Sequence, residues 1–529
     1  MLRTLALMLC LAPLPAVSQQ DDPGRLSPLG QADAMFQLAQ RVQGTGAARA
    51  MQQIALRVAA RAAGAEELAL ERRDLEERRD ALRRDMALDE STRRQRLDEI
   101  DTALTVNGER LARGFPGWRD ITAPAPVGLD EAKGLLAEGE ALIAFHQGDE
   151  HLYLWLVARD RVIWHRVALP RGDAAQLVAL FREGMGLTGT LRGATALKPK
   201  SAAAEVPDFN RPLAANLYVL LFGAFAQELE AYPNLRIVPD GAWIGLPFAA
   251  LLTGYDDATA PVTPGLLREA SWLVRRHAIT VMPSVVSLRA LPRAPRASGR
   301  STLLAVGDPV FAGTASAMEV ARSGGEAVDV TALAPLPGTR REVEAIARAF
   351  PDTAQVLLGA AATESAIRGA DLSDRDVIVF ATHGLIAGEL QGLEEPALAL
   401  TPPGTPSAED DGLLTAGEVA GLRLSADWVV LSACNTAAGD GEGAEGLSGL
   451  ARAFFAAGAE SLLVSHWPVR DDAAARLTAA AFAELEADPG LGKAEAMRRS
   501  MLALMADESD ATLAHPLAWA PFFVVGGGS

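Results

Sequence analysis

From residue 301 onward the chain repeats one unit: a short apolar run, a turn, then an amphipathic stretch. The runs "STLLAVGDP", "AQVLL", "DVIVFATHG", "DWVVLSACNT" and "SLLVSHW" alternate with the helical patterns "TRREVEAIARAF", "TESAIRGA", "TAGEVAGL", "EGLSGLARAFFAAGA" and "DDAAARLTAAAFAEL". Strand runs that are apolar throughout, with no polar alternation, need cover on both faces. This pattern predicts an α/β fold, a mostly parallel sheet with helices on both faces. Thr415 and Glu418 have the spacing of a capping box for the helix before "DWVVL", and Gly458 suits a helix stop before "SLLVS".

The preceding chain divides by pattern. Residues 19–118 read as a helical arm, a hairpin or short coiled coil, because "AARAMQQIALRVAARAA" and the charge-dense stretch after it keep helical periodicity. No 34-residue repeat is present, so a tetratricopeptide array is not expected. "FPGWRDITAPAPVG" breaks the helical pattern near residue 118. Residues 119–299 then read as a second α/β lobe: "EALIAFHQ", "HLYLWLVAR" and "RVIWHRVAL" form a meander, and "RIVPDGAWIGLPFAALL" resumes the alternation. The basic stretch "RAPRASGR" reads as a linker into a lobe at 300–529.

Residues 1–18 have the layout of a signal peptide, with Arg3, the apolar "TLALMLCLA" and the small-residue site Ala16-Val17-Ser18. The apolar run is too short to span a bilayer, so no membrane span is expected after its removal, and the chain is expected to be exported, periplasmic or extracellular. A formal charge of −18, from 49 basic against 67 acidic residues, disfavours nucleic acid as a partner. Of two cysteines, Cys10 lies in the leader, which leaves Cys434 as the sole thiol of the mature chain. Such a thiol is reactive, buried and inert, or intermolecular.

Position favours the first. His383 follows the strand "VIVF" by three residues, and Cys434 follows "VVL" by three. Parallel strands deliver their carboxyl ends to one edge, where α/β proteins bind ligands. A single crossover between the two strands would bring imidazole and thiol together as base and nucleophile. An imidazole raises the thiolate fraction and can protonate a leaving amine, which suits acyl transfer. The N–H groups of Gly384 and Cys434 would then form an oxyanion hole.

These residues resemble the CHAT domain of the caspase-like, separase-related cysteine peptidases. "VIVFATHG" is similar to that family's strand ending in His-Gly, and "WVVLSACNT" to its strand ending in Ala-Cys. The likeness continues in "EGLSGLARAFFAAGAESLLVSHWPV", "LPGTRREVEAIARAF" and "HPLAWAPFFVVGG", and more loosely in "RIVPDGAWIGLPFAALL". It implies a caspase-like catalytic lobe at 300–529 packed on a lobe without a dyad, with His383 as base and Cys434 as nucleophile. "WPVRDD" resembles the Trp-x-Val-x-Asp run of separases, which implies that Asp471 receives a basic side chain preceding the cut. Asp471 and Asp472 equally suit a helix start, where acidic residues meet the positive end of the dipole. His466 ends a strand on the same edge and is a second candidate for substrate contact.

The expected activity is that of an exported cysteine endopeptidase acting on a protein or peptide substrate, with a regulatory protein partner on the helical arm. No cofactor is expected, and the scattered histidines offer no metal spacing. Two alternatives use the same residues: a catalytically silent scaffold or binding protein of the same fold, and another acyl-transfer enzyme such as a thioesterase or transpeptidase.

Overall fold

A computed structural model of the chain describes residues 28–42, 66–84, 90–114, 125–187, 207–254, 261–290, 301–311, 330, 333–387, 390, 393, 395–405, 407, 410–433 and 449–527. The expected signal peptide 1–18 with Cys10, the expected linker 293–300 and Cys434 lie outside the described residues.

One eleven-stranded sheet runs through both α/β lobes, in the order β3-β2-β1-β4-β5-β14-β13-β12-β8-β6-β7. Its strands are β1 (Glu140–Gln147), β2 (His151–Ala158), β3 (Arg161–Ala168), β4 (Asn234–Val238), β5 (Ala278–Val281), β6 (Leu303–Gly307), β7 (Ala354–Leu358) and β8 (Val377–Ala381), then β12 (Trp428–Ser432), β13 (Ser461–Ser465) and β14 (Phe522–Gly526). Between β8 and β12 the chain forms a second, small sheet of β9 (Gly384–Leu385), β10 (Ala397–Ala399) and β11 (Leu413–Thr415).

Apart from the antiparallel meander β1-β2-β3 at one end, the large sheet has two parallel halves that run in opposite senses. Strands β7, β6, β8, β12 and β13 are mutually parallel, as are β1, β4, β5 and β14, and the halves meet at the antiparallel pair β13–β14. The carboxyl edge of the later lobe thus collects β6, β7, β8, β12 and β13, while β14 points the other way. The cause is the connection. Between β13 and β14 lie two helices, Asp471–Ala487 and Lys493–Ala506, packed on each other. The first carries the chain back along the sheet and the second returns it, so the next strand starts at the carboxyl edge and runs backwards.

Both faces are covered, as the apolar runs require. In β12, Trp428 and Val430 enter the core layer shared with those two helices and with the helix Pro337–Ala347, while Val429 and Leu431 enter the opposite layer. The second layer is closed by helices Glu364–Gly369, Ala416–Gly421 and Gly449–Ala457. Thr415 and Glu418 form the expected capping box, and Gly458 takes φ +122° at the expected helix stop. The apolar segment Arg211–Leu229, long enough to cross a membrane, buries Leu217, Leu221 and Phe222 in the first core layer.

Helix α1 (Pro28–Val42) lies on the early lobe. Phe36 is buried edge-on against Trp155, whose indole N–H donates to the Ala32 carbonyl, and Gln40 bonds both backbone groups of Val127. Helices α2 (Glu66–Arg84) and α3 (Glu90–Gly114) pack on each other as a hairpin, tied by Asn107 to the Leu68 carbonyl and by Arg110 to Glu71. Arg73 of α2 donates to the Ala420 carbonyl at the end of the helix Ala416–Gly421.

The helices that cover the later lobe are α4 (Pro337–Ala347), α5 (Glu364–Gly369), α6 (Ala416–Gly421), α7 (Gly449–Ala457), α8 (Asp471–Ala487) and α9 (Lys493–Ala506).

Candidate active site

His383 sits where the two sheets meet. Strand β8 is held on both sides, with Ala381 paired to Gly307 of β6 and to Ser432 of β12. Beyond it, the Thr382 hydroxyl donates to the Ala399 carbonyl, the Ala399 N–H donates to the His383 carbonyl at 2.9 Å, and Gly384 begins β9 opposite Leu398. The backbone on either side of the imidazole is therefore fixed by a different sheet. That ladder bond on the His383 carbonyl makes Gly384 and Leu398 a non-hydrogen-bonded pair, so the Gly384 N–H is not spent on β10.

The ring itself is clamped. His383 Nε2 lies 2.7 Å from the carbonyl oxygen of Ala334, and the ring packs on Phe311 with centroids 5.5 Å apart. A carbonyl only accepts, so Nε2 carries the proton and Nδ1 holds the lone pair of a neutral imidazole. Burial pushes the imidazole below its ordinary value, opposed by the Ala334 carbonyl and by the negative charge of Asp471. At neutral pH the ring is an uncharged base.

The neighbouring strand ends at the same height. Leu431 is in register with Phe380 and Ser432 with Ala381, so in sequence each strand end is followed at the same interval by a candidate residue. Those are His383 and Cys434. The described chain stops at Ala433, whose carbonyl accepts a 2.9 Å hydrogen bond from the buried Ser465 hydroxyl at the end of β13.

Asp471 opens α8, and its Oδ2 accepts the Gly338 N–H at 2.7 Å, so one carboxylate serves the starts of both α8 and α4. It leaves no room for a Cβ on Gly338. Burial pushes the Asp471 carboxyl upward, while the Gly338 N–H, Arg341 and His383 pull it down. Asp471 and His383 are close enough for the charge of each to bear on the other. His466 is buried, with its ring stacked on Phe523 at a centroid distance of 4.1 Å and on Trp467 at 5.8 Å, and burial pushes it well below the ordinary imidazole value. Its ring packs in the core.

Sequence reasoning passed over Ala334, Ser465 and Glu342. The first two act through a backbone carbonyl and a small hydroxyl, which leave no pattern. Glu342 did leave one, because Thr339, Glu342, Val343 and Ile346 form the buried face of α4 at helical spacing and a carboxylate on that face is out of place.

A model of the CHAT domain matches residues 211–527, more than half of the chain. The chain belongs to the CHAT domain family. Among curated proteins it is similar to tetratricopeptide repeat protein 28 of Mus musculus, with 29% identity over 226 residues, covering 36% of this chain and 9% of that protein. The chain thus spans under a tenth of that relative's length. Among solved structures it is similar to Saccharomyces cerevisiae separase in its complex with securin, at a TM-score of 0.43 and 11% identity, covering 78% of this chain and 31% of that one. It is also similar to the Arg-specific cysteine proteinase gingipain R, at a TM-score of 0.35 and 10% identity, covering 68% of this chain and 74% of that one.

Proposed function

We propose that this CHAT protein is a caspase-like cysteine endopeptidase with Cys434 as nucleophile and His383 as base. The observation that carries the reading is the register of β8 with β12, which brings the strand ends before His383 and Cys434 to one level on adjacent strands. The clamp on His383 Nε2 supports it, since it leaves Nδ1 to take the thiol proton. The thiolate attacks the scissile carbonyl, the oxyanion is met by the N–H groups of Gly384 and Cys434, and the imidazolium protonates the departing amine. Water then hydrolyses the thioester and restores the thiol.

Asp471 is the proposed receptor for an Arg or Lys preceding the cut, because a half-buried carboxylate at this edge favours a cationic side chain and repels an acidic one. His466 enters as packing beneath the end of β13. The leader-like residues 1–18 support work outside the cytoplasm. The α2–α3 hairpin is the proposed seat of a regulatory protein partner, as Arg73 bonds α6, the helix that leads into β12.

Hydrolysis of a peptide library tests the reading. The wild type is expected to cut after Arg or Lys. Cys434→Ala and His383→Ala should lose turnover by at least about a thousandfold with the fold intact. Asp471→Asn should lose the basic preference while keeping the dyad chemistry. Near wild-type hydrolysis by either dyad variant would remove the reading, and cuts chiefly after Asp or apolar residues would remove the role of Asp471 alone.

A further inference from the structure

Below the dyad's edge of the sheet lies a carboxyl group that the proposed chemistry does not use. Glu342 projects from α4 into the core layer between α8 and β12 and is only 1% exposed. Its Oε1 accepts a 2.7 Å hydrogen bond from the Thr478 hydroxyl of α8, itself buried. Two other atoms there are orphaned: Glu342 Oε2 and the hydroxyl of Ser432, the last residue of β12, are buried and have no hydrogen-bond partner among the described residues. Ser432 lies close enough to ease a negative charge on Glu342. Two orphans of this kind cost free energy, and a hydrogen bond between them satisfies both, with Oε2–H donating to the Ser432 hydroxyl when the carboxyl is protonated and the hydroxyl donating to Oε2 when it is ionised.

We propose that Glu342 is a positioning residue, which, protonated and bridging Thr478 to Ser432, fixes the end of β12 two residues before Cys434 in sequence; this rests on the reading of Cys434 as the nucleophile. The electrostatics agree with the geometry. Burial pushes the Glu342 carboxyl up to about 7, Thr478 and Ser432 oppose the shift, and the negative charge of Asp471 adds to it. Asp471 is the charged group that bears on it from α8, while β12 contributes the neutral Ser432. Once ionised, Glu342 accepts from the Ser432 hydroxyl instead of donating to it, so the bridge persists but carries a second negative charge beside Asp471. That charge disfavours the thiolate and slows the thiol.

The test is the rate of iodoacetamide alkylation at Cys434, followed on the Cys434 peptide by mass spectrometry, in the wild type and in Glu342→Gln. The amide keeps an acceptor for Thr478 and a donor for Ser432 at every pH. The two rates are expected to agree within about twofold near pH 6, with the wild type about fivefold slower near pH 8.5. That gap should persist when Ser432→Ala is added to both proteins, because it comes from the charge on Glu342, while both proteins are slowed by loss of the bridge. Glu342→Ala, which cannot bridge, should alkylate about tenfold more slowly near pH 6. If it does not fold, the Gln and Ser432 comparisons decide. A ratio that stays flat with pH would overturn the proposal, even if Glu342→Gln changed the melting temperature. A pH-dependent ratio in a protein that hydrolyses no peptide would leave the positioning role standing and remove the peptidase reading.

Discussion

At the scale of single residues, the site is held by groups that spend their hydrogen-bonding capacity on orientation. His383 gives Nε2–H to a backbone carbonyl, Ser465 holds the carbonyl before the thiol, and Asp471 takes a helix N–H. Glu342 adds a consequence for stability. Its carboxyl has an unfolded value of about 4.3, and burial raises it to about 7 in the fold. Over that interval the folded state keeps a proton that the unfolded state has released, so stability falls as pH rises from about 4.3 to about 7 and is level above. Glu342→Gln removes this slope. Denaturant unfolding should therefore show the variant gaining on the wild type by roughly 2–4 kcal/mol between about pH 4.5 and pH 7.5. A constant difference would mean that the Glu342 carboxyl titrates in the fold as it does in the unfolded chain. His383 and Cys434 stand out in the sequence as candidates because each follows an apolar strand at the same interval. Glu342 was legible only as a charge on an apolar helix face.

At the scale of elements, the sequence exposed whatever has a repeating pattern and hid what depends on direction. The apolar runs of β6, β8, β12 and β13 and the helices between them follow from burial on both faces. The reversal of β14 does not, because it depends on α8 and α9 pairing as two consecutive helices. The small sheet was equally hidden, since strands of two or three residues carry no periodicity. Yet it is this sheet that fixes the backbone after His383. Its last strand passes directly into α6 through the Thr415 cap, where the hydroxyl accepts the Glu418 N–H and the Glu418 carboxylate takes the Thr415 N–H. Thr415→Ala breaks the reciprocal pair and is expected to destabilise the protein by about 1 kcal/mol. Thermal unfolding measures it, and no change would mean that the short helix is held by packing alone.

At the scale of the molecule, one sheet carries two half-sheets with opposed carboxyl edges, and His383 follows β8 at the edge of the later half. The N-terminal helices divide between two tasks. Phe36 and Ala32 of α1 complete the core against Trp155, whereas α2 and α3 mainly satisfy each other and reach the later lobe through Arg73. Phe36→Ala should therefore cost about 3–5 kcal/mol, as expected for a buried aromatic. Deletion of residues 66–114 should leave the sheet folded, with circular dichroism and thermal unfolding distinguishing the two. An unfolded deletion protein would make the hairpin part of the core. The central claim is that the register of β8 with β12 serves covalent catalysis by Cys434 with His383. Mass spectrometry of the protein quenched during turnover of an Arg-containing peptide ester tests it most directly. An acyl group of the substrate on Cys434 in the wild type, absent in His383→Ala, is the predicted result, and turnover with no acyl group on Cys434, or acylation undiminished in His383→Ala, would contradict it.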